Sequence, residues 1–368
     1  MAIQYIMTRS CFLKCLVISF LFFSCSEKNK NDNISVQWEA NKAVAVFVPE
    51  KFIADIPGDS VQSLLQIHLK GNNTPILGEY MIKDNGIVFR PLIPFTYDLE
   101  YEIRLSGKTI DGIVIPFPAG SYPPQVIAIY PVNDTLPENL LKFYISFSKP
   151  MREGEAVQHI HLIKNNTDTL SDVFLDLQQE LWNSDRTMLT IWLDPGRIKR
   201  GLRPNKLLGP PLQRNENYRL EINKDWRGEN GLSLAQHYSK IFFTIERDSV
   251  SPSTNAWAIN KPAPGTRDQL HVNFHESLDH VLAENTMRIS DDAGNYVKGV
   301  FHVNDKSNAV YFIPGAPWKP GKYKLEIESR LEDLAGNNLV RLFDADVNQK
   351  QQQKDIFTRE FEVSLPSK

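Results

Sequence analysis

The chain has 368 residues, of which 42% are hydrophobic and 23% charged, with a net charge of −3. That length exceeds one ordinary domain and implies two or three. The balance leaves no basic stripe to neutralise phosphates, which excludes nucleic acid as a partner.

Arg9 and Lys14 precede an apolar run, Cys15 to Phe23, which is too short to span a bilayer and has the length of an export signal. It ends in Ser24-Cys25-Ser26. This ending resembles the signal of bacterial lipoproteins, whose cysteine becomes the first mature residue and carries lipid. Phe22 and Phe23 depart from the leucine and small residue usual there. The resemblance implies a signal peptide over 1–24, lipidation at Cys25, and a membrane partner held through the lipid anchor. It implies an exported, membrane-anchored lipoprotein, expected at the outer membrane and facing the periplasm or the exterior. Cys11, Cys15 and Cys25 are the only cysteines, so disulfides and thiolate metal sites are excluded from the body, which is stabilised by apolar burial. Residues 25–33 hold no apolar side chain after Cys25 and read as a flexible tether.

From Ile34 onward, short alternating segments are separated by Gly, Pro, Asn and Asp, which predicts an all-β chain of sandwich type. Leu141, Phe143, Ile145 and Phe147 alternate with Lys142, Tyr144, Ser146 and Ser148. This predicts a strand with one face on a core and the other wet, ended by Pro150. Three segments repeat: Tyr101 to Leu105, Tyr218 to Ile222 and Tyr323 to Ile327. Upstream of each lies a strand running into proline, aligning Phe89, Leu193 and Phe312 on one face. One recurrent tyrosine per repeat predicts a hydroxyl bonded to nearby backbone, as in a tyrosine corner. The repeats predict three tandem antiparallel sandwiches over 34–121, 122–248 and 249–368, with proline-bearing joints. A polar insert, Asn348 to Lys354, reads as a loop before the last strand.

Pro131 to Asn139 with Phe147-Ser-Lys-Pro-Met151 resembles the bacterial Ig-like domain first described in S-layer proteins. Pro262 to Gly265, Phe274 to Leu278 and Glu332 to Asn337 follow the same order in the third repeat. The resemblance implies an Ig-like fold used as spacer or binding module, and it carries no catalytic residues.

Two acidic turns, Asp291 to Asn295 and Glu332 to Asn337, have oxygens that suit calcium but lack EF-hand spacing and read as turn chemistry. The histidines form no zinc set, and no cofactor is expected. No catalytic motif is present, so the chain reads as a non-catalytic binding or scaffolding protein of the cell envelope. The alternative is an enzyme, or a subunit of one, acting on envelope polymers or glycans.

One connection breaks the repeat. Between proline and tyrosine the outer repeats have short links, 92–100 and 315–322, whereas the middle one runs from 196 to 217. This insertion carries Arg197, Lys199, Arg200, Arg203 and Lys206 among glycines and prolines. They are candidate ligands for an anionic glycan, a lipid headgroup or an envelope protein's carboxylates, or else a structural brace. Trp192 is expected on the outer face of its strand, where an indole stacks on sugars. Asp-Ser/Thr-aliphatic triplets mark Ser60, Thr135, Thr169 and Ser249 as candidate glycan acceptors, by resemblance to the O-glycosylation signal of Bacteroidetes exported proteins.

Overall fold

The computed structural model describes residues 33–54, 57–345 and 354–364. The signal peptide, Cys25, almost all of the tether and most of the polar insert lie outside the described residues. The described chain is all-β, built as Ig-like antiparallel sandwiches in tandem. It forms two compact units, one ending at Phe117 and one beginning at Pro118.

In the first unit, a four-stranded sheet orders Ser35–Glu39, Lys42–Pro49, Gly86–Pro91 and Gly78–Lys83, and a three-stranded sheet orders Leu65–Leu69, Glu100–Leu105 and Lys108–Val114. Val46, Val48 and Phe89 from one sheet meet Ile67, Tyr101 and Ile103 from the other. These are the alternate residues of each strand, which is how a period of two becomes a core.

The second unit holds two further sandwiches. In the middle one, Leu181–Trp182, Met188–Trp192, Lys142–Phe147 and Val126–Tyr130 form one sheet. The facing sheet orders Asp168–Leu170, Ile160–Lys164, Asn217–Ile222, Tyr238–Ile245 and Thr135–Pro137, the last pair parallel. Phe143, Ile145 and Leu189 pack on Leu162, Leu220 and Phe242. The third sandwich pairs Ala258–Asn260, Leu270–Asn273, Ala309–Pro314 and Gly299–Val303 against Met287–Asp291, Gly321–Glu328 and Ile356–Val363.

Each recurrent tyrosine is buried and bonds backbone a few residues upstream, as the repeat predicts. The Tyr101 hydroxyl accepts from the Thr96 amide at 2.9 Å, and that of Tyr218 accepts from Gln213 at 2.8 Å. The Tyr323 hydroxyl donates to the Lys319 carbonyl at 2.9 Å. The hydroxyl thereby pins the connection that precedes its strand.

The wet face expected for Lys142–Phe147 is not wet where it matters. Lys142 and Tyr144 are 8% and 6% exposed, because that face docks on the third sandwich. Lys142 Nζ lies 2.8 Å from Asp279 and 3.0 Å from Glu332. The Tyr144 hydroxyl donates to the Asp279 carboxylate at 2.8 Å. Burial alone would lower the Lys142 pKa, but the two carboxylates outweigh it and hold the ammonium above its ordinary value. Close by, the Leu141 amide donates to the Leu334 carbonyl, and the imidazole of His280 stacks on Tyr130 at 3.6 Å.

The joint between these sandwiches is clamped as well. Asn139 Nδ2 donates to the Asp248 carbonyl at 2.8 Å, and its Oδ1 accepts from the Asp248 amide at 2.9 Å. Gly336 sits at φ +80°, where a side chain is strained, and a Cβ there would also press on Leu141 Cδ2 at 2.4 Å, so glycine suits this close approach of the third sandwich.

Candidate functional site

The insertion begins where Asp194 Oδ1 accepts from the Gly196 amide and caps a single helical turn, Pro195–Ile198, with proline at its first position. A second short helix, Arg203–Leu208, also starts next to a proline and ends at Gly209, whose φ of +72° reverses the chain. Between Asp194 and Glu216 there is no acidic residue, and Arg214 adds a further cation.

The five cations singled out in the sequence divide into three roles. Arg197 is buried, and its guanidinium donates to the carbonyls of Gly209 at 3.0 Å, Asp172 at 2.7 Å, Leu208 at 3.2 Å and Ser171 at 3.3 Å. With its donors spent on backbone it is a brace, and it leaves the set of candidate ligand-binding residues. Asn205 Nδ2 donates back to the Arg197 carbonyl and ties the second helix to the first. Lys199 and Arg200 face the third sandwich. Lys199 Nζ lies 4.5 Å over the Phe343 ring, and Arg200 Nε lies 2.8 Å from Asp344, which also takes Arg247 Nη1 at 3.3 Å. Arg200 remains 69% exposed in its side chain. Arg203 and Lys206 are exposed and make no ion pair among the described residues.

Beside the insertion lies an open groove of about 480 Å³. Arg200, Arg214 and Arg247 line it together with Glu138, Glu246 and Ser249. Burial lowers the Arg247 pKa, and Asp344 works against that shift.

Trp192 lies on the face of its strand opposite Leu193, in register with Lys142. It is only partly exposed, with Lys142 Nζ 5.0 Å from the ring, and it also lines an apolar groove with Phe174, Leu175 and Leu181. Among the candidate acceptors, Thr135, Thr169 and Ser249 are exposed and Ser60 is half-buried. The acidic turns bind their own amides. Asp291 takes Asn295, and Asp333 takes Ala335 and Asn337.

The sequence marks Asp333 only as part of an acidic turn and Glu276 not at all as a titrating group, yet these carboxyls have the most altered acidity. Glu276 and Asp333 are both pushed up to about 7, chiefly by burial, with Asp248 adding to it. They lie at the joint of the two sandwiches, not in a cleft. No local pattern marks their altered acidity, because their burial arises from the docking of one sandwich on another.

Together these features define a tandem Ig-like sandwich chain whose middle member carries a braced basic protrusion. No family model matches the chain, and no curated protein matches it. Among solved structures it is similar to the native alpha-2-macroglobulin of Escherichia coli, at 11% identity over 56% of this chain and 13% of that one, with a TM-score of 0.23. It is similar to the N-terminal part of the bacterial S-layer protein SbsC, at 11% identity over 66% of this chain and 44% of that one, with a TM-score of 0.24. Dimeric latent PorU from Porphyromonas gingivalis shares 12% identity over 81% of this chain and 28% of that one, with a TM-score of 0.23. Likenesses this distant carry no argument about function. Among the described residues, no helix is long and apolar enough to cross a membrane.

Proposed function

We propose that this chain is an exported, non-catalytic binding or scaffolding lipoprotein of the bacterial envelope, held to the membrane through lipid on Cys25 and presenting the 195–211 protrusion to an anionic partner. The observation that carries the reading is the pair Arg203 and Lys206, exposed and without an ion pair among the described residues, on a protrusion whose sequence holds no acid. It extends from a domain whose siblings close the same connection with a short loop. A fold that needed only closure would not hold these residues out rigidly. The partner classes that fit are acidic glycans, lipid headgroups and carboxylate-rich envelope proteins. Arg203→Ala combined with Lys206→Ala is expected to leave the melting temperature unchanged, since neither side chain is paired. Salt-sensitive retention on acidic polymers and envelope fractions should fall. Unchanged retention would reject the reading.

A further inference from the structure

The protrusion is apolar as well as basic. Leu202, Leu207 and Leu208 are 45%, 71% and 59% exposed, and no residue of the Arg203–Leu208 helix is buried. Scattered exposed leucines are ordinary on a soluble protein. These three instead share one tip with Arg200, Arg203 and Lys206. The tip is also prevented from folding its leucines inward. The Arg197 guanidinium holds the Leu208 and Gly209 carbonyls from beneath, while Pro204, Pro210 and Pro211 stiffen both ends.

Resting on the anionic-partner reading, we infer that the tip seats in the surface of an anionic lipid bilayer, with Leu207 and Leu208 entering the acyl boundary and Arg203 and Lys206 bonding lipid phosphates. The argument is one of paired chemistries. An acidic polysaccharide would satisfy the cations but leave the leucines wet, and an apolar protein groove would cover the leucines without needing cations. A membrane interface is apolar a few ångströms beneath a layer of anions, so it supplies a partner for both the leucines and the cations of the tip. Long basic side chains beside leucines keep their charge at headgroup level while the stems follow the apolar surface inward. The first unit supplies a contrast. Leu92 and Ile93 are 69% and 79% exposed on the corresponding connection. The nearby Arg90, however, is paired with Glu39 at 2.8 Å, so the combination is absent there.

The test uses the chain from Ser26 onward, free of the leader and of Cys25, and sediments it with vesicles of phosphatidylcholine alone or mixed with phosphatidylglycerol. Binding is expected only to the mixed vesicles. It should weaken about fivefold for each cation removed in Arg203→Ala and Lys206→Ala. It should weaken about tenfold for each of Leu207→Ser and Leu208→Ser. A separate Leu207→Trp variant should shift its emission to the blue on the mixed vesicles and be quenched by brominated lipid. Thermal melts check that each variant is folded. If the leucine variants bind as tightly as the parent while the cation variants do not, insertion is overturned and anion recognition stands. If acidic polysaccharide competes fully and the tryptophan stays wet, the partner is a glycan and insertion is again overturned. If neither mixed vesicles nor acidic polysaccharide bind, both readings fall.

Discussion

Glu276 is half-buried near Asp248 with no hydrogen-bond donor among the described residues, and its carboxyl is pushed up to about 7, first by burial and then by that neighbour. In an unfolded chain a glutamate titrates near 4.3. The folded state therefore binds the proton more tightly, so the stability Glu276 allows is full below about pH 4 and is lost as pH rises through 7. Asp333 acts in the same direction. Glu276→Gln keeps the shape without the charge. It should raise stability above pH 7 by on the order of 1 kcal/mol once solvent screening is allowed for, with no gain at pH 4. Melting curves of the two proteins across that range check it, and a difference independent of pH would be against it. At this scale the sequence was legible where a residue recurs. Tyr101, Tyr218 and Tyr323 announced their own backbone bonds. Glu276, set just past a turn, announced nothing, because its environment belongs to a segment about thirty residues away in the chain.

Strands were legible in the same way, since alternation is a property of the strand itself. Lys142–Phe147, Gly86–Pro91 and Gly321–Glu328 lie where alternation places them. Alternation tells which side chains share a face, but not what covers the second face, so Lys142 and Tyr144 read as wet when they are buried. The three-residue strand Thr135–Pro137 was illegible as such, being short and ended by proline. The insertion was legible as an excess of cations, but not the division of labour among them. Arg197 differs from Arg203 only in where the backbone carries it. Arg197→Ala should remove a guanidinium bound to several carbonyls, cost about 1–3 kcal/mol and lower the melting temperature by several degrees. Equal melting temperatures for Arg197→Ala and Arg203→Ala would show that the brace is not needed.

At the scale of the whole molecule, the contact between the two sandwiches of the second unit buries a charged cluster, Lys142 with Asp279 and Glu332. Buried ion pairs contribute little net stability when intact, yet removing one partner strands the other in a dry environment at about 3–5 kcal/mol. Lys142→Met leaves Asp279 and Glu332 facing each other without a cation. The middle and third sandwiches should then melt as separate steps in calorimetry, whereas the parent is expected to melt them together. A single undivided transition in Lys142→Met would mean that the Asn139 clamp and the Gly336 contact suffice to couple them.

The parallel pairing of Thr135–Pro137 with the end of Tyr238–Ile245 has a mechanical consequence. The chain enters the middle sandwich ahead of the first segment and leaves toward the third sandwich just after the second. Tension between those two exits drags the paired segments in opposite directions along their own length. The bonds that hold them, from the Phe243 amide to the Asp134 carbonyl and from the Glu138 amide to the Ile245 carbonyl, are then loaded together in shear and not peeled one at a time. The short parallel patch acts as a latch between the entry and exit of the domain, and a pull along the chain loads it in shear once the edge strand Val126–Tyr130 has been stripped from its neighbour.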